Sequence, residues 1–169
     1  MRKHITLTLC ILFTAAIALA QDAPKKPLSP PAKAAATLNG KKVTIDYSAP
    51  SKRNRAIMGG LVPYGQVWRT GANAATTLTT EADLMIGSLH VPKGTYTLYS
   101  IPGEKEWTLI VNKQTGQWGT AYDAAQDLGR VKMTVSSVKD TVETFVIGID
   151  KNLTLTWENT RASVAVMAH

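Results

Sequence analysis

Residues 84–111, LMIGSLHVPKGTYTLYSIPGEKEWTLIV, decide the fold class. Leu84 to Ile86 and Leu89 to Val91 are two short apolar-alternating runs separated by Gly87-Ser88. A two-residue loop whose glycine supplies positive φ closes a β-hairpin. Pro92-Lys93-Gly94 turns the chain again, into Thr95 to Ile101. Pro102-Gly103 and the charged residues after it lead into Trp107 to Val111.

The same period-two pattern extends in both directions. Upstream, Val43, Ile45 and Tyr47 alternate with Thr44, Asp46 and Ser48, giving a strand with one buried face that stops at Ala49-Pro50. Thr76 to Thr80 is a second. Downstream come Val131, Met133 and Val135, then Phe145, Ile147 and Ile149, then Leu153, Leu155 and Trp157 after the turn Asp150-Lys151-Asn152, with Val164 and Val166 closing the sheet. Ala121 to Leu128 is the one place open to a turn of helix. Roughly eight to ten short strands with no long helical pattern predict an all-β domain, an antiparallel β-sandwich or jelly roll. A closed β-barrel is the alternative.

The N-terminus is different. Arg2 and Lys3 precede an apolar run from Ile5 to Ala20 that closes with Ala18-Leu19-Ala20. This is the pattern of a secretory signal peptide, expected over residues 1–20. A permanent anchor fits less well, because the run is shorter than the about 20 apolar residues of a spanning helix and contains three threonines. No stable membrane span is therefore expected after cleavage. Residues 21–36, which begin QDAPKKPLSPPAK, read as a Pro-rich disordered tether, and residues 37–169 as a single domain. The one cysteine, Cys10, lies within the apolar run, so the mature chain is thiol-free and its stability rests on core and sheet. The expected location is periplasmic or extracellular. The formal charge of +7 includes Arg2 and Lys3, so removing the leader leaves +5. These charges are scattered, without the basic runs of a nucleic-acid binder.

Several chemistries lack their residues. Of three histidines, His4 lies in the leader and His169 is the last residue, leaving His90, which alternates outward between Leu89 and Val91. A zinc site from Cys and His is excluded, and no cofactor is implied. There is no nucleophile elbow and no phosphate-cradling glycine loop. No catalytic residue is assigned. Carboxylates leave one enzymatic alternative, hydrolysis of envelope glycans, with Glu158 or Glu81 as acid and Asp46 or Asp83 as partner. It requires two carboxyls facing each other about 5 to 9.5 Å apart.

The informative connection is Tyr47 to Asn73, YSAPSKRNRAIMGGLVPYGQVWRTGAN. It is long for a link between strands, and long ordered loops tend to carry function. Arg53, Arg55 and Arg69 offer planar forks for carboxylate or phosphate, Trp68 a flat apolar face, and Asn73 an amide. The alternative is structural: Trp68 plugs the core, while Arg69 and Asn73 satisfy buried loop carbonyls. A second loop, NKQTGQWGTAYD from Asn112 to Asp123, adds Trp118 and Tyr122 as either a ligand wall or a lid over the core.

Four stretches together resemble a bacterial family of exported proteins catalogued as domain of unknown function 2911. They are GGLVPYGQVWRTGAN from Gly59, SAPSKRNR from Ser48, VPKGTYTLYSIPGEKEWTLIVNK from Val91 and WGTAYD from Trp118. The resemblance covers nearly all of the mature domain and implies an exported, mostly β protein. It brings no activity, substrate or cofactor. The expected function is a non-enzymatic envelope module binding a small anionic or carbohydrate ligand through Arg53, Arg55, Trp68, Arg69 and Asn73, with Trp118 and Tyr122. Besides glycan hydrolysis, the other alternative is a structural or protein-interaction module.

Overall fold

The computed structural model describes residues 27–169. The expected signal peptide and the tether as far as Lys26 lie outside the described residues. Nine strands follow in chain order: β1 (Pro31–Leu38), β2 (Lys41–Ser48), β3 (Thr77–Thr80), β4 (Leu84–Ile86), β5 (Leu89–Val91), β6 (Gly94–Ile101), β7 (Glu106–Asn112), β8 (Asp127–Ile149) and β9 (Asn152–Ala168). They form one antiparallel sheet in the order β1-β2-β3-β6-β7-β8-β9-β4-β5, which folds over in a sandwich-like manner and does not close into a barrel. A 3₁₀ turn at Ala124–Gln126 falls within the segment open to helix. Among the described residues no helix is long and apolar enough to cross a membrane.

The period-two reading holds where one face is buried. Val43, Ile45 and Tyr47 of β2 all enter the core, and the β4–β5 hairpin pairs Ile86 with Leu89 around Gly87, whose φ is +57°. The tether expectation is corrected over residues 31–36, which lie in β1. Proline is tolerated at the first residue of an edge strand, where no ladder bond needs its missing N–H. Pro31 stands there, and the Pro30 carbonyl accepts from the Ala49 N–H at 2.9 Å.

Two of the strands are not short. The runs around Val131 and Phe145 are one 23-residue strand, and those around Leu153 and Val164 are one of 17 residues. The β8–β9 ladder shifts register between Ser137 and Val142 and again between Val142 and Val146. Such bulges bend a strand and let it serve two parts of a sheet. β8 accordingly pairs with β7 through its first part and with β9 beyond, while the end of β9 pairs with β4.

The core holds a cluster of large aromatics. Trp107, Phe145 and Trp157 are each 1% exposed. Trp68, from the long loop, packs edge-on to Phe145 at 5.0 Å and Trp107 at 6.2 Å, and stacks on Trp157 at 5.9 Å. Strand β6 is buried on both faces: Tyr96 and Leu98 belong to the core, while Tyr99 lies beneath the 113–126 loop, edge-on to Tyr122 at 4.8 Å. The two long loops therefore cover the sheet, and the candidate site forms where they meet.

Candidate functional site

The loop from Ala49 to Asn73 is tied down along its length. Beyond β2 the chain crosses to β8, where the Lys52 N–H donates to the Glu143 carbonyl at 2.7 Å and the Phe145 N–H to the Pro50 carbonyl at 2.9 Å. A turn then places Arg53 and Asn54 at φ +49° and +59°, an uncommon conformation for side-chain-bearing residues. It is held by the Arg53 N–H on Glu143 Oε1 at 2.8 Å and the Arg55 N–H on the Lys52 carbonyl at 3.1 Å.

Glu158 anchors the next stretch. It pairs with Lys52 at 3.0 Å and accepts from the Met58 N–H at 3.5 Å. Burial alone would raise its pKa, but the Lys52 ammonium and the N–H groups of Met58 and Ile57 outweigh it and hold the carboxyl below its ordinary 4.5. A depressed carboxyl pKa stabilises the fold above the unfolded value, and the contribution disappears as pH falls through the folded one. Glu158→Gln should therefore cost about 1 kcal/mol at pH 7. The gap to wild type should close on acidification below pH 4.5, as read by urea unfolding across pH.

The stretch Trp68 to Asn73 is the most tightly specified. Trp68 exchanges two backbone hydrogen bonds with Ser100 of β6, at 2.7 and 3.0 Å. Thr70 sits at φ +54° while fully buried. A β-branched residue held there costs about 1–3 kcal/mol and persists only where its surroundings enforce it. Here the Thr70 hydroxyl donates to Ser100 Oγ at 2.9 Å, and the Thr76 hydroxyl donates to the Thr70 carbonyl at 2.8 Å. Gly71, at φ +150°, comes so close to Ser48 that a Cβ would stand 3.0 Å from its carbonyl oxygen. Arg69 is thereby set between two immobilised neighbours.

The second loop is organised by buried Asn112. Its amide donates to the Asp123 carbonyl and to Asp127 Oδ1, both at 2.9 Å, and its own oxygen accepts from the Gln114 N–H at 3.0 Å. Tyr122 donates its hydroxyl to Asp127 Oδ2 at 2.7 Å and accepts from Arg130 at 2.9 Å. Burial, then the bond to Asp127, raises the Tyr122 pKa. The two loops meet where the Gly119 N–H donates to the Asn73 carbonyl at 2.9 Å.

Between the loops lies a cleft of about 670 Å³. Five of the seven expected site residues line it: Arg53, Arg55, Trp68, Arg69 and Tyr122. Asn73 does not, since its backbone holds Gly119 and its amide reaches the Ser29 carbonyl at 3.4 Å. Trp118 is also outside the lining and 57% exposed. Leu28, Tyr99, Gly119 and Trp157 are among the further lining residues that were not expected there. Leu28 sits in a stretch read as tether, and Tyr99 and Trp157 in strands read as core; only Gly119 carried a signal, as part of the glycine-flanked WGTAYD.

The electrostatics are one-sided. No Asp, Glu or His lines the cleft, and none of its three arginines joins an ion pair among the described residues. Arg53 donates to the Leu28 carbonyl, and Arg55 to the carbonyls of Ser51 at 2.8 Å and Lys52 at 3.0 Å. Arg69 makes no hydrogen bond among the described residues. Its aliphatic stem lies so close under Gly119 that a Cβ there would fall 2.9 and 3.2 Å from its Cδ and Cβ. The stem is packed and the guanidinium is uncommitted.

The carboxylates considered for hydrolysis stand elsewhere. Asp46 pairs with Lys33 at 2.9 Å, Glu81 accepts from the Lys42 N–H at 3.0 Å, and Asp83 accepts from the Lys93 N–H at 2.8 Å and lies 3.2 Å from exposed His90. The Lys93 bond foremost, then His90, holds Asp83 below its usual range. With Glu158 also depressed, neither of these two has the raised pKa of a general acid.

A family model described as a protein of unknown function, DUF2911, matches residues 29–166. The chain belongs to this family. The match takes in every residue of the cleft lining except Leu28. No curated protein and no solved structure matches the chain.

Proposed function

We propose that this DUF2911 protein is an exported envelope protein whose domain binds a small anionic ligand between its two long loops and does not transform it. The observation that carries this is Arg69: a guanidinium with no partner among the described residues, on a packed stem, in a cleft whose described lining holds two further arginines and no carboxylate. A cleft of one charge sign attracts its counter-ion, and an arginine fork grips carboxylate or phosphate in two directions. Trp68, stacked on Trp157, supplies an apolar wall. Binding is favoured over turnover because, among the described residues, the lining offers no carboxylate or imidazole to act as general acid or base. Export is supported by Arg2 and Lys3, the apolar run after them, and Ala18-Leu19-Ala20.

A thermal-shift panel tests the binding reading. Acetate, inorganic phosphate, alkyl carboxylates and neutral sugars would each be added to the purified protein. An anion at about 100 times its Kd adds about 2.7 kcal/mol to stability. Several degrees of shift are expected for at least one anion, smaller in high salt, and none for neutral sugars. A shift with sugars alone, or with nothing, overturns the proposal.

A further inference from the structure

The apolar groups around the cleft bear on which anion it takes. Of the seven large hydrophobic side chains that stand exposed among the described residues, three line this one cleft: Leu28 at 72%, Leu61 at 48% and Val67 at 40%. Apolar surface gathered at a concave polar site marks a place where something else covers it. The half-buried ring of Trp68, backed by the buried Trp157, adjoins it. Among the described residues no Asn, Gln, Asp or Glu lines the cleft, so side-chain acceptors for a row of sugar hydroxyls are few. Of the two tyrosines present, Tyr122 gives its hydroxyl to Asp127 and Tyr99 gives its own to the Ala121 carbonyl at 3.3 Å. The polar capacity left over is the three arginines with the hydroxyls of Ser29, Ser51 and Thr120, of which Ser51 is already bonded to Thr144 at 3.0 Å, so the charge on offer is all positive and the apolar surface is gathered beside it. The volume, about 670 Å³, is that of a site for one small molecule.

We infer that the ligand is an amphiphile, one small anionic head on an apolar body, with the head at Arg69 and the body against Leu61, Val67 and Trp68. This rests on the proposed anion site and names its ligand class. It sets aside sugar phosphates and bare inorganic anions.

A chain-length series tests it. Acetate, butyrate, hexanoate and octanoate would be titrated calorimetrically into the purified protein, with inorganic phosphate, 1-octanol and phosphatidylglycerol vesicles as further probes. Affinity should rise about two- to fourfold per added methylene. Leu61→Ser combined with Val67→Ser, both at exposed loop positions, should flatten that slope, lowering octanoate affinity far more than acetate affinity. Arg69→Gln should weaken every carboxylate by a common factor and keep the slope. Equal binding of acetate, phosphate and octanoate overturns the amphiphile and leaves the anion site standing. Octanol binding as tightly as octanoate overturns the anion site itself, and no binding by any probe removes both. Vesicle binding without octanoate binding overturns the inference in favour of a membrane surface.

Discussion

Phe145→Ala should lower the melting temperature by about 10 °C. The side chain is 1% exposed and touches three rings, with Tyr47 edge-on at 5.8 Å, Trp68 at 5.0 Å and Trp157 at 5.9 Å. Removing a buried phenylalanine costs about 3–5 kcal/mol, since the cavity is only partly refilled. In a domain of this size each kcal/mol moves the transition by about 2–4 °C. Trp68 would lose its nearest aromatic neighbour, so the back of the cleft should loosen and ligand affinity fall with stability. Trp118→Ala is the contrast: the residue is 57% exposed and outside the cleft lining, so the change should stay within about 0.5 kcal/mol. Thermal unfolding of the two variants side by side checks the pair. Equal effects would mean that the aromatic cluster does not hold the fold.

Gly119→Ala should damage both stability and binding. The new Cβ would stand 2.7 Å from the Asn73 carbonyl oxygen, a backbone atom that cannot swing aside, and 2.9 Å from Arg69 Cδ. Relief requires the two loops to part, which breaks the Gly119–Asn73 hydrogen bond and shifts the arginine stem. Overpacking of this kind costs about 1–3 kcal/mol, and anion affinity should drop several-fold. Gly116→Ala separates the two effects. Its φ is +80° with nothing near the added carbon, so it should cost about 1 kcal/mol through the backbone alone and leave affinity intact. Unfolding and titration of both variants decide it. Unchanged binding in Gly119→Ala would mean that its packing on Arg69 has no bearing on the site.

What the sequence made legible follows the strength of its local signals. Val43, Ile45 and Tyr47 alternate without interruption, and Gly87-Ser88 offers a turn of one kind, so strand and hairpin could be placed. The continuity of β8 could not. Its ladder shifts register twice, on either side of Val142, so the alternation of Val131, Met133 and Val135 does not run on into that of Phe145, Ile147 and Ile149. β1 was hidden by the opposite problem: prolines that disfavour strands in general are permitted at the start of an edge strand, and edge position depends on tertiary pairing. In the site, the three arginines and Trp68 were found because one long loop concentrates them. Leu28 and Tyr99 were missed because they reach the cleft from a Pro-rich segment and from a strand buried on both faces. Nor does composition say which arginine is already occupied. Arg55 spends its donors on two carbonyls while Arg69 spends none among the described residues, and only the folded loop separates them.

That distinction makes Arg69→Gln the most direct test. The purified variant and wild type would be titrated calorimetrically with octanoate, and both would be melted without ligand. Affinity should fall about tenfold or more, the loss of a charge-assisted contact worth about 1.5–3 kcal/mol. The ligand-free melting temperature should stay within about 2 °C, because no group among the described residues loses a hydrogen bond. A variant that binds as wild type does but melts much earlier would make Arg69 a structural residue and contradict the account.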